Sequence, residues 1–242
     1  MYTDVARIQY VAAFPYNVGR LPDWITFAEG ATLGVGSVAS AAALFESLAI
    51  PWPSPKPYKI DRSTNAPWIL VWGGSCVTGM MTIQLAKLSG FQVLAVGGLH
   101  NISYLQGLGA DKVLDRHQPE EAIMEAREFN IKLAVDCVGS QTAAYAARAL
   151  QSEGRLVYLV KGPDQALMKS LKIEVRDIAI KRFHEDPAYG QFMVDFISQC
   201  VMQKTISPMR VKIFDGGFDA IQGGLEHLKQ GEVSGRKLVV IP

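Results

Sequence analysis

The residues whose types and spacing most plainly carry chemistry are Gly73-Gly74-Ser75-Cys76-Val77-Thr78-Gly79. Glycines between a short apolar run and a helix remove side chains where an anion must approach the backbone. The first helical amides lack internal partners and the helix dipole favours negative charge, so such a turn binds pyrophosphate. Ser75 and Thr78 add hydroxyl donors, and Cys76 and Val77 lie on the same turn. The competing reading is a tight turn with a purely structural role.

The next positions should report on the ribose. A domain that prefers NAD places an acid about 20 residues past the first glycine. Here the stretch is Val96-Gly97-Gly98-Leu99-His100-Asn101, without an acid. His100 and Asn101, with Ser103, are the polar groups on hand for a 2′-phosphate, so NADPH fits better than NADH. An ordinary polar loop residue is the alternative for His100. Carboxyl ends of strands bind ligands in open α/β sheets, which places Cys137, Val138 and Val160 at the site. Cys137 as a nucleophile would need an acidified thiol and a nearby base; a small buried residue is the stronger reading, and Asp136 reads as a buried structural acid. The polar stretch 181–190, read as a loop after the strand-like run 171–180, offers His184 or Tyr189 as a proton donor, and Lys161 as a further polar contact. A solvated loop is the competing reading there.

The elements that must position these groups alternate regularly. Residues 68–72 are an apolar run ending in glycines, as in a buried parallel strand. Residues 79–88 read as a helix stopped by Gly90, residues 91–96 as a strand, and residues 102–108 as a helix ending at Gly109. Residues 112–114, 133–138 and 155–160 read as strands, and residues 119–129 and 141–150 as helices, with Pro119 in a first turn. This alternation predicts an α/β fold: a Rossmann-type doubly wound parallel sheet with residues 68–72 at its centre. On the flanks, residues 7–14 read as a lone strand, Thr26-Phe27-Ala28-Glu29 as a capping box opening a helix, and residues 37–48 as a helix of small residues. Residues 51–57 hold four prolines and read as a stiff linker. Residues 211–214, 218–229 and 237–241 read as strand, helix and closing strand.

Composition narrows the function classes. A net charge of +1 over 242 residues, without a basic run, gives no nucleic-acid footprint. No apolar run approaches the ~20 residues of a membrane span, and the opening residues have an early acid and no apolar signal core. The three cysteines, Cys76, Cys137 and Cys200, lie far apart without a CxxC or Cys/His cluster. That spacing argues against a zinc site and a disulfide framework, and predicts a cytosolic protein with reduced thiols.

With these residues placed, the chain resembles the zinc-free, quinone-oxidoreductase-like branch of the medium-chain dehydrogenase/reductase superfamily, most of all the fungal trans-acting enoyl reductases that partner polyketide synthases. The resemblance rests on Ala31-Thr32-Leu33-Gly34-Val35-Gly36, Trp72 to Ser75 with Thr78, Leu108-Gly109-Ala110-Asp111-Lys112-Val113, and Asp136-Cys137. It is most specific in the tail, Gly216 to Ile221 and Gly231 to Val240. The family implies an N-terminal GroES-like domain of about 100 residues, of which this chain would hold only a remnant. It divides the chain into that remnant with linking helices (1–57), a nucleotide-binding domain (58–200) and a returning C-terminal segment (201–242). It also implies threonines facing the nicotinamide where Val38 and Ala39 stand. In the loop after the second strand, where the family holds the 2′-phosphate with Ser and Lys, Leu99 and Gln106 occur instead.

Three functional readings follow. The first is a redox-silent descendant that guides a cyclisation or isomerisation, such as a pericyclic step, of a polyketide intermediate in an apolar cleft. The second is an NADPH-dependent enoyl reductase working with a polyketide synthase. The third is a non-catalytic subunit that binds the synthase. A homodimer covering the face left by the missing domain is expected from the rarity of large exposed apolar patches on monomers.

Overall fold

Alternation along the strands decides the architecture of the computed structural model, which describes residues 12–54 and 66–241. Ile69, Val71, Val93, Ala95, Val135 and Val157 face one hydrophobic core; Leu70, Trp72, Leu94, Val96, Ala134 and Leu156 face a second on the opposite side. Strands that are apolar on both faces must be covered on both faces, and parallel strands with helical crossovers achieve that.

Six parallel strands result: β1 (Trp68–Trp72), β2 (Gln92–Gly97), β3 (Lys112–Asp115), β4 (Leu133–Asp136), β5 (Arg155–Tyr158) and β6 (Glu174–Arg176). Their order is β3-β2-β1-β4-β5-β6. β1 therefore sits inside the sheet, between β2 and β4, where successive crossovers reverse direction and open a crevice. Trp72 pairs with both Val96 and Asp136, so the carboxyl ends of these three strands finish level with one another.

Helices supply both covers. α1 (Phe27–Gly30) begins at the Thr26–Glu29 capping box, with Glu29 N–H donating to Thr26 Oγ1 and Glu29 Oε2 accepting from Thr26 N–H. α2 (Gly34–Ala41) runs on through a widened turn at Ala42–Ser47. α3 (Val77–Leu88) follows β1 and packs against α2. α4 (Ile102–Gly107) connects β2 to β3, while α5 (Pro119–Arg127), α6 (Ser140–Ala149) and α7 (Gln165–Leu171) follow β3, β4 and β5. α8 (Arg182–Glu185) and α9 (Pro187–Met202) return to the α2 side. Beyond them, β7 (Val211–Ile213), α10 (Ile221–Lys229) and β8 (Lys237–Val239) form a separate parallel β-α-β unit. The helical stretch Phe27–Ser47 is long and apolar enough to cross a membrane, yet 61% of its most apolar window is buried in the fold. It is a core helix here.

Two readings of the sequence are corrected. Residues 171–180 are not one strand: α7 ends at Leu171, Lys172 turns left-handed at φ 55°, and only Glu174–Arg176 pair with β5. Residues 181–190 are not a loop but α8 and the first turn of α9. Asp186 caps α9 by accepting from Tyr189 N–H at 3.1 Å, and Pro187 opens it. An acid followed by proline is a helix-start pair, since one caps and the other loses no hydrogen bond. Residues 7–11 of the strand expected over 7–14 and residues 55–57 of the linker expected over 51–57 lie outside the described residues; residues 12–14 and 51–54 are irregular, and Pro15–Asn17 form a single tight helical turn.

Leu44, fully buried on the widened turn that continues α2, gives a test of this packing. Leu44→Ala should destabilise the fold by about 3 kcal/mol, read from the urea midpoint. A change below about 1 kcal/mol would mean that this helix is peripheral to the core.

Candidate functional site

The turn after β1 is built by exclusion of side chains. Gly73 and Gly74 donate to Val96 O at 3.0 and 2.9 Å, pinning the turn to the end of β2. Gly73 adopts φ +85°, a left-handed conformation that suits glycine. A Cβ on Gly79 would overlap the Gly73 carbonyl oxygen and come within 2.9 Å of Gly74 Cα. Cys76 is the N-cap of α3, its Sγ accepting from Gly79 N–H at 3.3 Å, and its own N–H donates to Gly73 O at 3.0 Å. Among the described residues, the amides of Ser75 and Val77 have no protein acceptor. Two open amides at the start of a 12-residue helix, with no side chain in the way, form an anion cradle.

A cleft of about 400 Å³ lies over this cradle. Its floor is Trp72, Gly73, Ser75 and Cys76; Val96 and Gly97 form one wall, and Cys137, Val138, Thr142 and Tyr145 the other. Arg116, just past β3, stands at the β2 side of the cleft and its N–H donates to Gly97 O at 3.0 Å. The tail closes the top with Val233 and Ser234. Gly235 N–H donates to Ser75 O at 3.0 Å, and Asn101 Nδ2 donates to Ser234 Oγ at 2.8 Å. Sequence reasoning did not single out Arg116, Thr142, Tyr145, Val233 or Ser234. Arg116 had a local signal, a guanidinium one residue past a strand of the parallel sheet. The others are brought in only by tertiary contacts.

Of the residues singled out for a cofactor, Gly73, Ser75, Cys76, Cys137 and Val138 line this cleft. Gly74, Val77 and Thr78 complete the turn beneath it. Asn101 is only 5% exposed and is engaged by Ser234 and by His100, whose Nε2 lies 3.1 Å from Asn101 Nδ2. Asn101 thus anchors the tail, and its neighbour His100 leans on it. Val160 is exposed past β5, with no place in the cleft wall.

Asp136 is completely buried below Cys137. Burial pushes its carboxyl above the usual carboxylate range, opposed by hydrogen bonding from Thr142 and the amides of Val138 and Gly139. Oδ2 accepts those amides at 3.1 and 2.9 Å, while Oδ1 has no partner. Cys76 and Cys137 both line the cleft, and the influence of each thiol on the other holds that of Cys76 low and pushes that of Cys137 up.

The two candidate proton donors, His184 and Tyr189, and the further polar contact Lys161 face three different surfaces. His184 lines a second, apolar cavity of about 410 Å³ with Val35, Val38 and Phe183, and its Nδ1 lies 3.0 Å from Asn17 Nδ2. Tyr189 is 8% exposed, lies under the Arg182 guanidinium at 4.2 Å, and lines a third cavity with Glu46 and Arg176. Burial is the main cause that pushes its hydroxyl up to about 12. Lys161 is exposed just beyond β5 and lines none of the three cavities. α2 separates the first two cavities: a Cβ on Gly36 would stand 3.1 Å from Val77, whereas Val35 and Val38 face the second.

Residues 77–199 match the model of a family described as zinc-binding dehydrogenase. No group of three His, Cys, Asp or Glu side chains among the described residues is placed to hold a metal ion, so the donors present do not fit zinc. The chain is 30% identical over 263 residues to a trans-enoyl reductase of Thermothelomyces thermophilus, covering 98% of this chain and 71% of that protein. A trans-enoyl reductase of Alternaria alternata is 33% identical, with 95% and 69% covered. Among solved structures, a putative NADPH:quinone reductase of Bacillus thuringiensis superposes with a TM-score of 0.76 at 16% identity, covering 95% of this chain and 69% of that one.

The steric exclusion at Gly79 can be checked directly. Gly79→Ala should destabilise the protein by about 1–3 kcal/mol, because the backbone atoms it meets cannot rotate away. Gly34→Ala, where the added Cβ meets nothing within 4 Å, is the control and should change stability by less than about 0.5 kcal/mol. Equal effects of the two would refute the close passage of α3 over Gly73.

Proposed function

Because the chain belongs to the zinc-free, enoyl-reductase-like branch of the medium-chain dehydrogenase/reductase superfamily, we propose that it binds NADPH in the glycine-turn cleft and reduces an enoyl intermediate made by a polyketide synthase. The observation that carries this reading is the anion cradle: a glycine turn with two open amides at the N-terminus of α3, roofed by the chain's own tail. A redox-silent protein has no need to keep that cradle clear of side chains. The names of the relatives, trans-enoyl reductases, support the same choice. The reductase therefore stands ahead of a redox-silent cyclisation or isomerisation.

The Ser75 and Val77 amides would hold the pyrophosphate. Arg116 would take the 2′-phosphate, since it is the cation that lines the β2 end of the cleft, whose described lining includes no acid; the neighbouring Asp115 accepts from the His117 amide instead. Val138 would pack against the nicotinamide end and exclude water. When bound, NADPH supplies the hydride for the enoyl carbon. His184, Tyr189 and Lys161 do not converge on this cleft, and that divergence favours one second reading: a cyclisation or isomerisation in the apolar cavity beside His184, without a nicotinamide. Phe27 and Val35, 90% and 75% exposed, would join the contact of a homodimer.

Titration with NADPH, followed by the fluorescence of Trp72 beside Gly73, should saturate in the micromolar range. Arg116→Ala should weaken NADPH about tenfold, the effect of one charge-assisted contact, and leave NADH unchanged. Incubation with a 2-enoyl thioester should then consume NADPH and add two hydrogens to the substrate. Absence of NADPH binding at millimolar concentration would overturn the reading; turnover of a polyketide intermediate without NADPH, reduced by His184→Ala, would establish the second one instead.

A further inference from the structure

Cys76 and Cys137 lie far apart in the sequence, and the fold brings both to the lining of the same cleft, on either side of Gly73. We infer that they form a peroxide-sensitive pair that closes to a disulfide across the floor of the cleft and switches off cofactor binding. The inference rests on the proposed dinucleotide site and adds a regulation to it.

The backbone already holds the pair. Cys137 N–H donates to Trp72 O at 3.0 Å, and Cys76 N–H donates to Gly73 O at 3.0 Å, so both cysteines are tied to consecutive residues of one turn. A Cβ on Gly73 would stand 3.4 Å from Cys137 Cβ, and the carbonyl of the same glycine accepts from Cys76, so both cysteines adjoin Gly73. Both residues are half-buried and line the cleft, the side from which a small oxidant would reach them. Cys200 differs: it is buried in α9, burial pushes its thiol up to about 11, and it lines none of the cavities.

The two thiols have unequal roles. Cys76 caps α3, where the open helix end favours a thiolate, and the influence of the Cys137 thiol lowers it further. Cys137 is raised by the influence of the Cys76 thiol and by burial, so it keeps its proton. The Cys76 thiolate attacks hydrogen peroxide, forming a sulfenic acid and releasing hydroxide, which takes up a proton to become water. Cys137 sulfur then displaces the sulfenic oxygen: the S–S bond forms, the S–O bond breaks, and the Cys137 proton leaves with that oxygen as a second water. The pair loses two electrons and two protons, and the peroxide is reduced to water. In a reducing compartment a dithiol reverses the step by exchange.

The disulfide would fix Cys76 to the end of β4 and take its sulfur from the Gly79 amide. It would also bridge the strip of floor between the Ser75 and Val77 amides and Val138, along which the proposed cofactor must lie.

The test treats the reduced full-length chain with hydrogen peroxide, alkylates the remaining thiols and maps peptides by mass spectrometry, with NADPH titrations before and after. The expected result is a loss of two hydrogens, a Cys76–Cys137 cross-link with Cys200 still alkylated, and NADPH affinity lowered about tenfold or more. Dithiothreitol should restore the affinity, and NADPH bound beforehand should slow the cross-linking. Cys137→Ser should accumulate a Cys76 sulfenic acid that dimedone traps. Three free thiols after treatment, a sulfinic acid at Cys76 without a cross-link, or a cross-link that leaves NADPH affinity unchanged would each overturn the switch. If the reduced chain fails to bind NADPH while the cross-link forms, the dinucleotide reading and the switch built on it fail, and the thiol pairing stands.

Discussion

The first turn of α3 passes directly over the carbonyl of Gly73, and no side chain fits between them. That contact sets the angle at which the chain leaves the sheet. β1 can then lie between β2 and β4 with α3 packed flat against α2, while the open end of α3 points into the crevice beyond the strands. Were the helix to stand off by one methyl group, its free amides would no longer face the level ends of β2 and β4. The apolar character of both sheet faces follows from the same geometry, because a central strand has helices on either side.

The crevice would be shallow without the tail. Ser75 sits at the meeting point: its carbonyl accepts from Gly235, its hydroxyl accepts from Gly98 N–H at 3.2 Å, and its side chain fills the space that a Cβ on Gly97 would need. Gly235, at φ +66°, packs its backbone against Asn101, whose amide in turn holds Ser234. A buried asparagine with directional partners fixes where the tail lies in a way that apolar packing alone does not. The wall of the cleft thus comes from segments more than a hundred residues apart in the chain.

That distance marks what could be read in advance. The alternation of strands and helices, the glycine turn and the absence of an acid after β2 are local patterns, and local patterns were legible. The tail was recognised as distinctive without its role being apparent, since a strand near the end of the chain carries no mark of what it covers. Residues 181–190 misled because polar side chains suggested a loop, although Asp186-Pro187 is the signature of a helix start. Side-chain chemistry alone points to His184 and Tyr189 as donors and Lys161 as a polar contact, and the fold sends the three to separate surfaces. That Cys76 and Cys137 share one cleft is not legible in their spacing, which says nothing of how register brings the ends of β1 and β4 level.

Charge in the cleft is offered at two places and withheld at a third. The α3 amides and Arg116 attract an anion at the floor and at the β2 end. At the β4 end, the amides of Val138 and Gly139 could have done the same, but both are bound to Asp136. This acid is buried with one oxygen unpartnered, and its folded pKa lies above the ordinary value of 3.8. The sign follows: folding favours its protonated form, so the stability linked to it is fully present at low pH and declines as pH rises from 3.8 through the folded value. Above that range the buried acid costs stability, and its contact with the backbone removes two amides from competition for phosphate. A pyrophosphate would have one seat, on the turn of α3, and its ends would run toward Arg116 in one direction and Val138 in the other. The direction in which a dinucleotide would lie is thus set as much by the amides Asp136 occupies as by those the glycine turn leaves open.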